Sequence, residues 1–215
     1  MTALIWDLDG TLLDSYGVIL DGTCRALAEA GVQVDRRELH RRLIAGSVRS
    51  VLREIGAERG LDPEALWRRV DSLDTARYGE LELTDGAAET LRALYEAGHM
   101  NLVYTHNNRA SLDVLRRHGV LGYFTDALTS EAGLPRKPAP DGIDRLVELH
   151  GLDRRDTFYI GDRPIDMECA GNAGVRGILF LPPASPAVPT GREEHIVGDL
   201  RQIVKIVSEH HFREV

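Results

Sequence analysis

Two carboxylates stand two residues apart at the end of a short apolar run, in ALIWDLDGT (residues 3–11). Positions i and i+2 of a strand point to the same face, so an extended Ala3–Asp7 fading into a loop near Asp9 brings Asp7 and Asp9 to one place. Like charges held that close push one pKa upward unless something positive sits between them. The pair therefore asks for a metal, a shared proton or another cationic partner. Two more acids, Asp162 and Asp166 in GDRPID, follow a second apolar run, TFYI. Asp7, Asp162 and Asp166 together suit a hard divalent cation such as Mg2+, which takes one or two carboxylates, keeps some waters and binds a substrate phosphate.

The complementary groups are Thr105, after the run NLVY, and Lys137 in PRKPAPD. A hydroxyl and an ammonium fit phosphoryl oxygens. The residue before a proline is biased to extended backbone, so Pro138 helps hold Lys137 on a defined, non-helical path. A carboxylate can attack phosphorus to give an aspartyl-phosphate. Asp9, two residues on, is then the group to protonate the leaving oxygen and later activate water.

These residues need a frame. The runs ALIW, NLVY, DALT and TFYI stop at Asp7, Thr105, Ser130 and Gly161-Asp162, and GILFL runs into Pro182. From Thr84 onward they alternate with helical patterns, the signature of βαβ units and a parallel sheet. Ligands of such sheets bind beyond the carboxyl ends of the strands. Thr84 is expected to cap one helix, with others over 109–118, from Pro140, from Pro164 and over 199–211. Residues 15–82 hold four helix-like segments (15–30, 36–45, 48–59 and 63–80) and no convincing strand. The expected fold is therefore α/β, a doubly wound, Rossmann-like parallel sheet core formed by 1–14 and 83–215, with an inserted α-helical cap at 15–82. Hinges are expected at Asp14–Gly17 and Glu80–Asp85. Arg49, in AGSVRSVLRE, is a candidate substrate contact from the cap, weighed evenly against a solvent-facing arginine. Residues 181–191 (LPPASPAVPTG) read as a surface loop, His99 as a turn residue, His210-His211 as a solvated helix end, and Cys24 and Cys169 as core.

Composition bounds the function. The 215 residues are 43% hydrophobic and 28% charged with a net charge of −8, ordinary for a soluble globular chain. That balance argues against nucleic acid or an anionic membrane as the main partner. Two distant cysteines form no CxxC and no disulfide framework. With no signal peptide and no run of spanning length, the expected location is cytoplasmic, as a monomer or homodimer.

DLDGT at Asp7–Thr11, Thr105, Lys137 in RKPAPD, and GDRPID at Gly161–Asp166 resemble, in order, the four motifs of the haloacid dehalogenase superfamily. The resemblance covers nearly the whole chain and is greatest to phosphoglycolate phosphatase-like and β-phosphoglucomutase-like members. It implies Asp7 as nucleophile and Mg2+ ligand, and Asp9 as general acid/base with its carbonyl as a further ligand. It implies Thr105 and Lys137 on the phosphoryl group, helped by backbone N–H groups near Leu8, Asp9 and His106. Asp162 would complete the metal site, with Asp166 as ligand or support. The second motif runs on as THNNR and the fourth carries Arg163-Pro164, both unusual in that family. The implied activity is a Mg2+-dependent phosphatase acting on a small phosphorylated metabolite. A phosphomutase is the alternative within enzymes, and a phospho-acceptor or metabolite-binding module the alternative outside them. Dehalogenation is disfavoured, because that branch lacks an acid at the Asp9 position.

Overall fold

A computed structural model describes residues 1–213, with side chains through His210. It divides into two compact units, Met1–Asp14 with Leu83–Val215, and Ser15–Glu82.

The first unit is built on six parallel strands among the described residues: β1 (Ala3–Trp6), β2 (Met100–Tyr104), β3 (Phe124–Leu128), β4 (Thr157–Gly161), β5 (Arg176–Phe180) and β6 (His195–Val197), in the order β3-β2-β1-β4-β5-β6. The chain runs outward from β1 in both directions, so β1 and β4 meet where the strand order reverses. That is where ligands bind in doubly wound sheets. Trp6 is in register with Val103 and Ile160, and the Asp7 N–H donates to the Ile160 carbonyl at 2.8 Å. Asp7 and Asp162 therefore leave neighbouring strands at nearly the same level.

Strands β1 and β4 are continuous apolar runs because both sheet faces are covered. Ile5, Leu102, Tyr104 and Tyr159 pack against Ile143, Leu146 and Val147 of α7 (Asp141–His150) and Cys169 and Ala170 of α8 (Pro164–Asn172). The alternate residues Leu4, Trp6, Phe158 and Ile160 are fully buried on the opposite face. The Trp6 indole N–H donates to Asn101 Oδ1 at 3.0 Å, which satisfies two buried polar groups at once.

The second unit holds α1 (Tyr16–Glu29), α2 (Arg36–Ala45), α3 (Val48–Arg59) and α4 (Pro63–Thr75) around its own core of Leu20, Leu27, Leu39, Leu43, Leu52, Ile55 and Val70. Asp35, Ser47 and Asp62 cap α2, α3 and α4 by accepting from backbone N–H groups, and Pro63 opens α4.

Four sequence expectations need correction. Helix α4 ends at Thr75, not near 80, and a separate turn follows at Tyr78–Glu80 around Gly79. Thr84 does not cap α5, which spans Ala87–Glu96 behind Gly86. The Thr84 N–H instead donates to the Leu12 carbonyl at 2.9 Å, tying this segment to the loop after β1. The tail helix, α9 (Gln202–Arg213), does not end in a solvated His210. That side chain is buried, 3.0 Å from Asp156 Oδ1 and edge-on to Phe158. The side chain of His211 lies outside the described residues. Cys24 is half-buried rather than core. Among the described residues no helix is long and apolar enough to cross a membrane.

Candidate active site

The site is assembled at the carboxyl edge of the sheet, within the first unit. Asp7 follows β1, Thr105 follows β2, Asp162 follows β4, and Asp166 lies in the first turn of α8. Carboxylate oxygens of Asp7, Asp162 and Asp166 all lie within 4.8 Å of one another, and all three residues are buried. Lys137 arrives from the loop before α7. Its ammonium is 2.5 Å from Asp7 Oδ1 and 2.8 Å from Asp166 Oδ1, with no solvent exposure. The rings of Tyr104 and Tyr159 flank that ammonium at 5.1 and 5.2 Å, adding a cation–π contribution.

The three acids are held in different ways. Asp166 is fully engaged. Its Oδ1 accepts from Lys137 and from the Tyr159 hydroxyl at 3.2 Å, and its Oδ2 accepts from the Arg163 N–H at 3.1 Å, closing the start of α8. Asp162 Oδ1 accepts from the Thr11 hydroxyl at 3.2 Å. Asp7 Oδ2 is buried with no hydrogen-bond partner.

Burial pushes the Asp7 carboxyl up to about 6 against the lowering effect of Lys137. Asp166 is buried as well, yet the Lys137 and Arg163 charges hold it below the usual carboxylate range. Burial alone would discharge Lys137; Asp166 and Asp7 outweigh it and hold the ammonium above the usual lysine range. A buried acidic trio with one orphaned carboxylate oxygen and a single ammonium is under-compensated, and its all-oxygen donor set fits a hard cation.

The remaining predicted residues fall outside that trio. The Asp9 carboxylate, two residues beyond Asp7, accepts from Asn107 Nδ2 at 3.1 Å. Leu8 is a core side chain whose carbonyl accepts from Leu12 and Leu13 N–H groups at 3.0 and 2.9 Å, forming the tight turn of DLDGT. Buried Thr105 accepts through its hydroxyl from the Asn107 N–H at 3.0 Å. His106 turns its imidazole to Lys137, accepting the Lys137 N–H at Nε2 (3.0 Å). Ser130 is exposed, in a short turn after edge strand β3, and adds no side chain to the cluster. Arg49, in the second unit, stacks on Trp67 (4.5 Å to the ring centroid), 3.4 Å from Glu64.

The profile of the haloacid dehalogenase-like hydrolases matches residues 4–180, which takes in every residue of the acidic cluster and the whole helical unit. The chain belongs to that family. A phosphoglycolate phosphatase of Vibrio vulnificus (strain YJ016) is 28% identical to this hydrolase over 220 residues, 95% of each chain. Pyrophosphatase PpaX of Listeria monocytogenes serotype 4a (strain HCC23) is 28% identical over 176 residues, 80% of each chain. The crystal structure of a HAD-superfamily hydrolase, subfamily IA, variant 1, from Geobacter sulfurreducens PCA shares the fold of this hydrolase. It has a TM-score of 0.72 at 24% identity over 96% of each chain.

Sequence reasoning gave no role to Thr11, Tyr104, Asn107, Tyr159 or Gly161. Thr11 and Asn107 lay inside the motifs already singled out, where only their neighbours had an obvious chemistry. The two tyrosines read as apolar strand residues. Gly161 is required by close approach: a Cβ there would lie 2.4 Å from the Asp166 Cβ.

Proposed function

We propose that this hydrolase is a Mg2+-dependent phosphatase acting on a small phosphorylated metabolite through an aspartyl-phosphate. The observation that carries the reading is Asp7, a buried carboxylate with one oxygen on Lys137 and the other without a donor. A nucleophile needs that combination of fixed direction and an uncommitted lone pair. Asp7 and Asp162 would hold the metal, with the Asp9 carbonyl; Asp166, already accepting from three donors, supports Lys137 and the start of α8. When bound, Mg2+ supplies charge compensation for the carboxylates and the phosphoryl oxygens.

In the first step Asp7 attacks phosphorus, the P–O bond to the leaving group breaks, and Asp9 gives its proton to the departing oxygen. In the second, Asp9 takes a proton from water, which attacks phosphorus and returns Asp7 as carboxylate. Thr105, Lys137 and the backbone N–H groups of Leu8, Asp9 and His106 bind the phosphoryl oxygens. The helical unit is read as a cap with hinges at 14–17 and 80–85, and Arg49, which stacks on Trp67, keeps both of its readings, substrate contact or surface arginine. The Vibrio relative supports phosphoglycolate as the first substrate to try, and the Listeria relative adds pyrophosphate.

The test is inorganic phosphate release from phosphoglycolate, sugar phosphates and pyrophosphate, in Mg2+ and in EDTA, beside Asp7→Asn. Turnover lost in EDTA and in the variant is the expected result. A folded protein that releases phosphate from none of them in Mg2+ would overturn the reading.

A further inference from the structure

The residue after Thr105 has a role that neither nucleophile, acid nor metal requires. His106 Nε2 lies 3.0 Å from the Lys137 nitrogen, across 31 residues of sequence. A ring nitrogen that accepts a backbone N–H carries no proton, so the imidazole is neutral with its hydrogen on Nδ1. Burial, with the charges of Lys137, Arg136 and Arg163, keeps the ring neutral, its pKa pushed down to about 2. Tyr104 fixes the ring's orientation. Its own ring meets the imidazole edge-on at 5.7 Å and 86°, and its hydroxyl is 3.4 Å from the same Nε2.

What His106 holds is an irregular segment. Between the turn Ser130–Ala132 and α7 no regular element fixes the chain. Beyond Lys137 the loop is pinned by Asn172 Nδ2 on the Pro138 carbonyl (2.9 Å) and Cys169 Sγ on the Ala139 carbonyl (3.2 Å). At Lys137 itself the long-range backbone tie runs to His106. The lysine ammonium reaches its place between Asp7 and Asp166 from that anchored backbone.

We infer that His106 is a positioning residue: its imidazole accepts the Lys137 N–H and so sets where the Lys137 ammonium meets the phosphoryl group. The inference rests on the phosphatase reading for its effect on rate, and on geometry alone for the hydrogen bond.

The experiment compares the wild type with His106→Leu and His106→Gln. Leucine fills the space without an acceptor, whereas glutamine carries its Oε1 to about the reach of Nε2. Misplacing a charged group at a reacting centre can cost on the order of a hundredfold. A fall in kcat of that order is expected for His106→Leu, with KM little changed, and recovery of most of kcat for His106→Gln. A through-hydrogen-bond nitrogen–nitrogen coupling between Lys137 N and His106 Nε2, measured by NMR on the wild type, reports the bond directly. Absence of the coupling, full turnover in His106→Leu, or equal losses in both variants would each overturn the inference. A wild type that releases no phosphate sinks the phosphatase reading instead. The deciding readout is then the coupling together with calorimetric affinity for inorganic phosphate in Mg2+. Affinity weakened in His106→Leu and restored in His106→Gln supports the inference, and equal affinities in all three proteins overturn it.

Discussion

Lys137 Nζ lies 2.8 Å from Asp166 Oδ1, and neither side chain reaches solvent. The two come from different segments, the loop before α7 and the first turn of α8, so the pair fastens one strand-end loop to the next. With Asp7 on the other side, one ammonium faces two carboxylates. Such a site is held together by mutual need: any member left alone is a buried, uncompensated charge.

Lys137→Met tests that dependence. Removing one partner of a buried ion pair typically costs about 3–5 kcal/mol. The variant should lose stability of that order in EDTA and lose phosphatase turnover as well. Mg2+ should restore part of the lost stability, since a dication would offset the same carboxylates. Thermal unfolding with and without Mg2+ checks it, and a melting temperature in EDTA equal to wild type would refute it.

The proposed mechanism gives Asp9 and Asp7, neighbours in sequence, separable duties. The Asp9 carboxylate is held by Asn107 and lies outside the acidic trio. Asp9→Asn should therefore reduce turnover by about 10²–10⁴-fold, the usual worth of a general acid/base, while Mg2+ affinity by calorimetry stays close to wild type. Asp7→Asn should lose both. Equal loss of metal affinity in the two variants would place the Asp9 carboxylate among the ligands.

Gly161 adjoins Asp166 so closely that an added methyl must displace it, with the Cβ contact at 2.4 Å. Gly161→Ala should cost about 1–3 kcal/mol by overpacking and lower turnover by shifting the Asp166 anchor of Lys137. Gly17→Ala is the control, because a Cβ there meets nothing within 4 Å. Urea unfolding of both variants separates crowding at the site from a general effect of alanine.

The site carboxylates were legible in the sequence for a physical reason. Strands buried on both faces read as unbroken apolar runs, so the polar residue that ends each one marks the sheet's edge. Asp7, Thr105 and Asp162 are such residues. Ser130 follows the same pattern yet adds no side chain to the cluster: β3 is an edge strand, and Ser130 meets the neighbouring loop through its N–H, which donates to the Asn107 carbonyl at 3.0 Å. Strand β6 went unread because its three residues, His195–Val197, are too short to carry a period. His210 and Thr84 were misread because their partners, Asp156 and Leu12, lie 54 and 72 residues away (210 − 156 and 84 − 12), beyond any local pattern. The tyrosines beside Lys137 were hidden by the same apolar pattern that revealed their strands.

Two groups at the site, buried Asp7 and half-buried His106, oppose one another in acid. The Asp7 carboxyl is raised from 3.8 to about 6 by burial, so the folded state binds its proton more readily than the unfolded chain does. Its contribution is complete below 3.8 and is lost as pH rises through 6; acidification from pH 7 to 5 therefore stabilises the fold. His106 is lowered from 6.5 to about 2, again by burial, so the unfolded chain takes up the proton that the folded imidazole refuses. Its contribution is present above 6.5 and drains away below it; the same acidification destabilises the fold. A proton bound by one state and not the other is worth about 1.4 kcal/mol for each pH step of about one, so each effect amounts to about 1–2 kcal/mol over this interval. In EDTA these two contributions should nearly cancel between pH 7 and 5. His106→Gln should become more stable on acidification relative to wild type, and Asp7→Asn less stable, each by about 1–2 kcal/mol. Urea unfolding at the two pH values measures the differences. Parallel pH dependence in all three proteins would mean that neither group changes its proton affinity on folding.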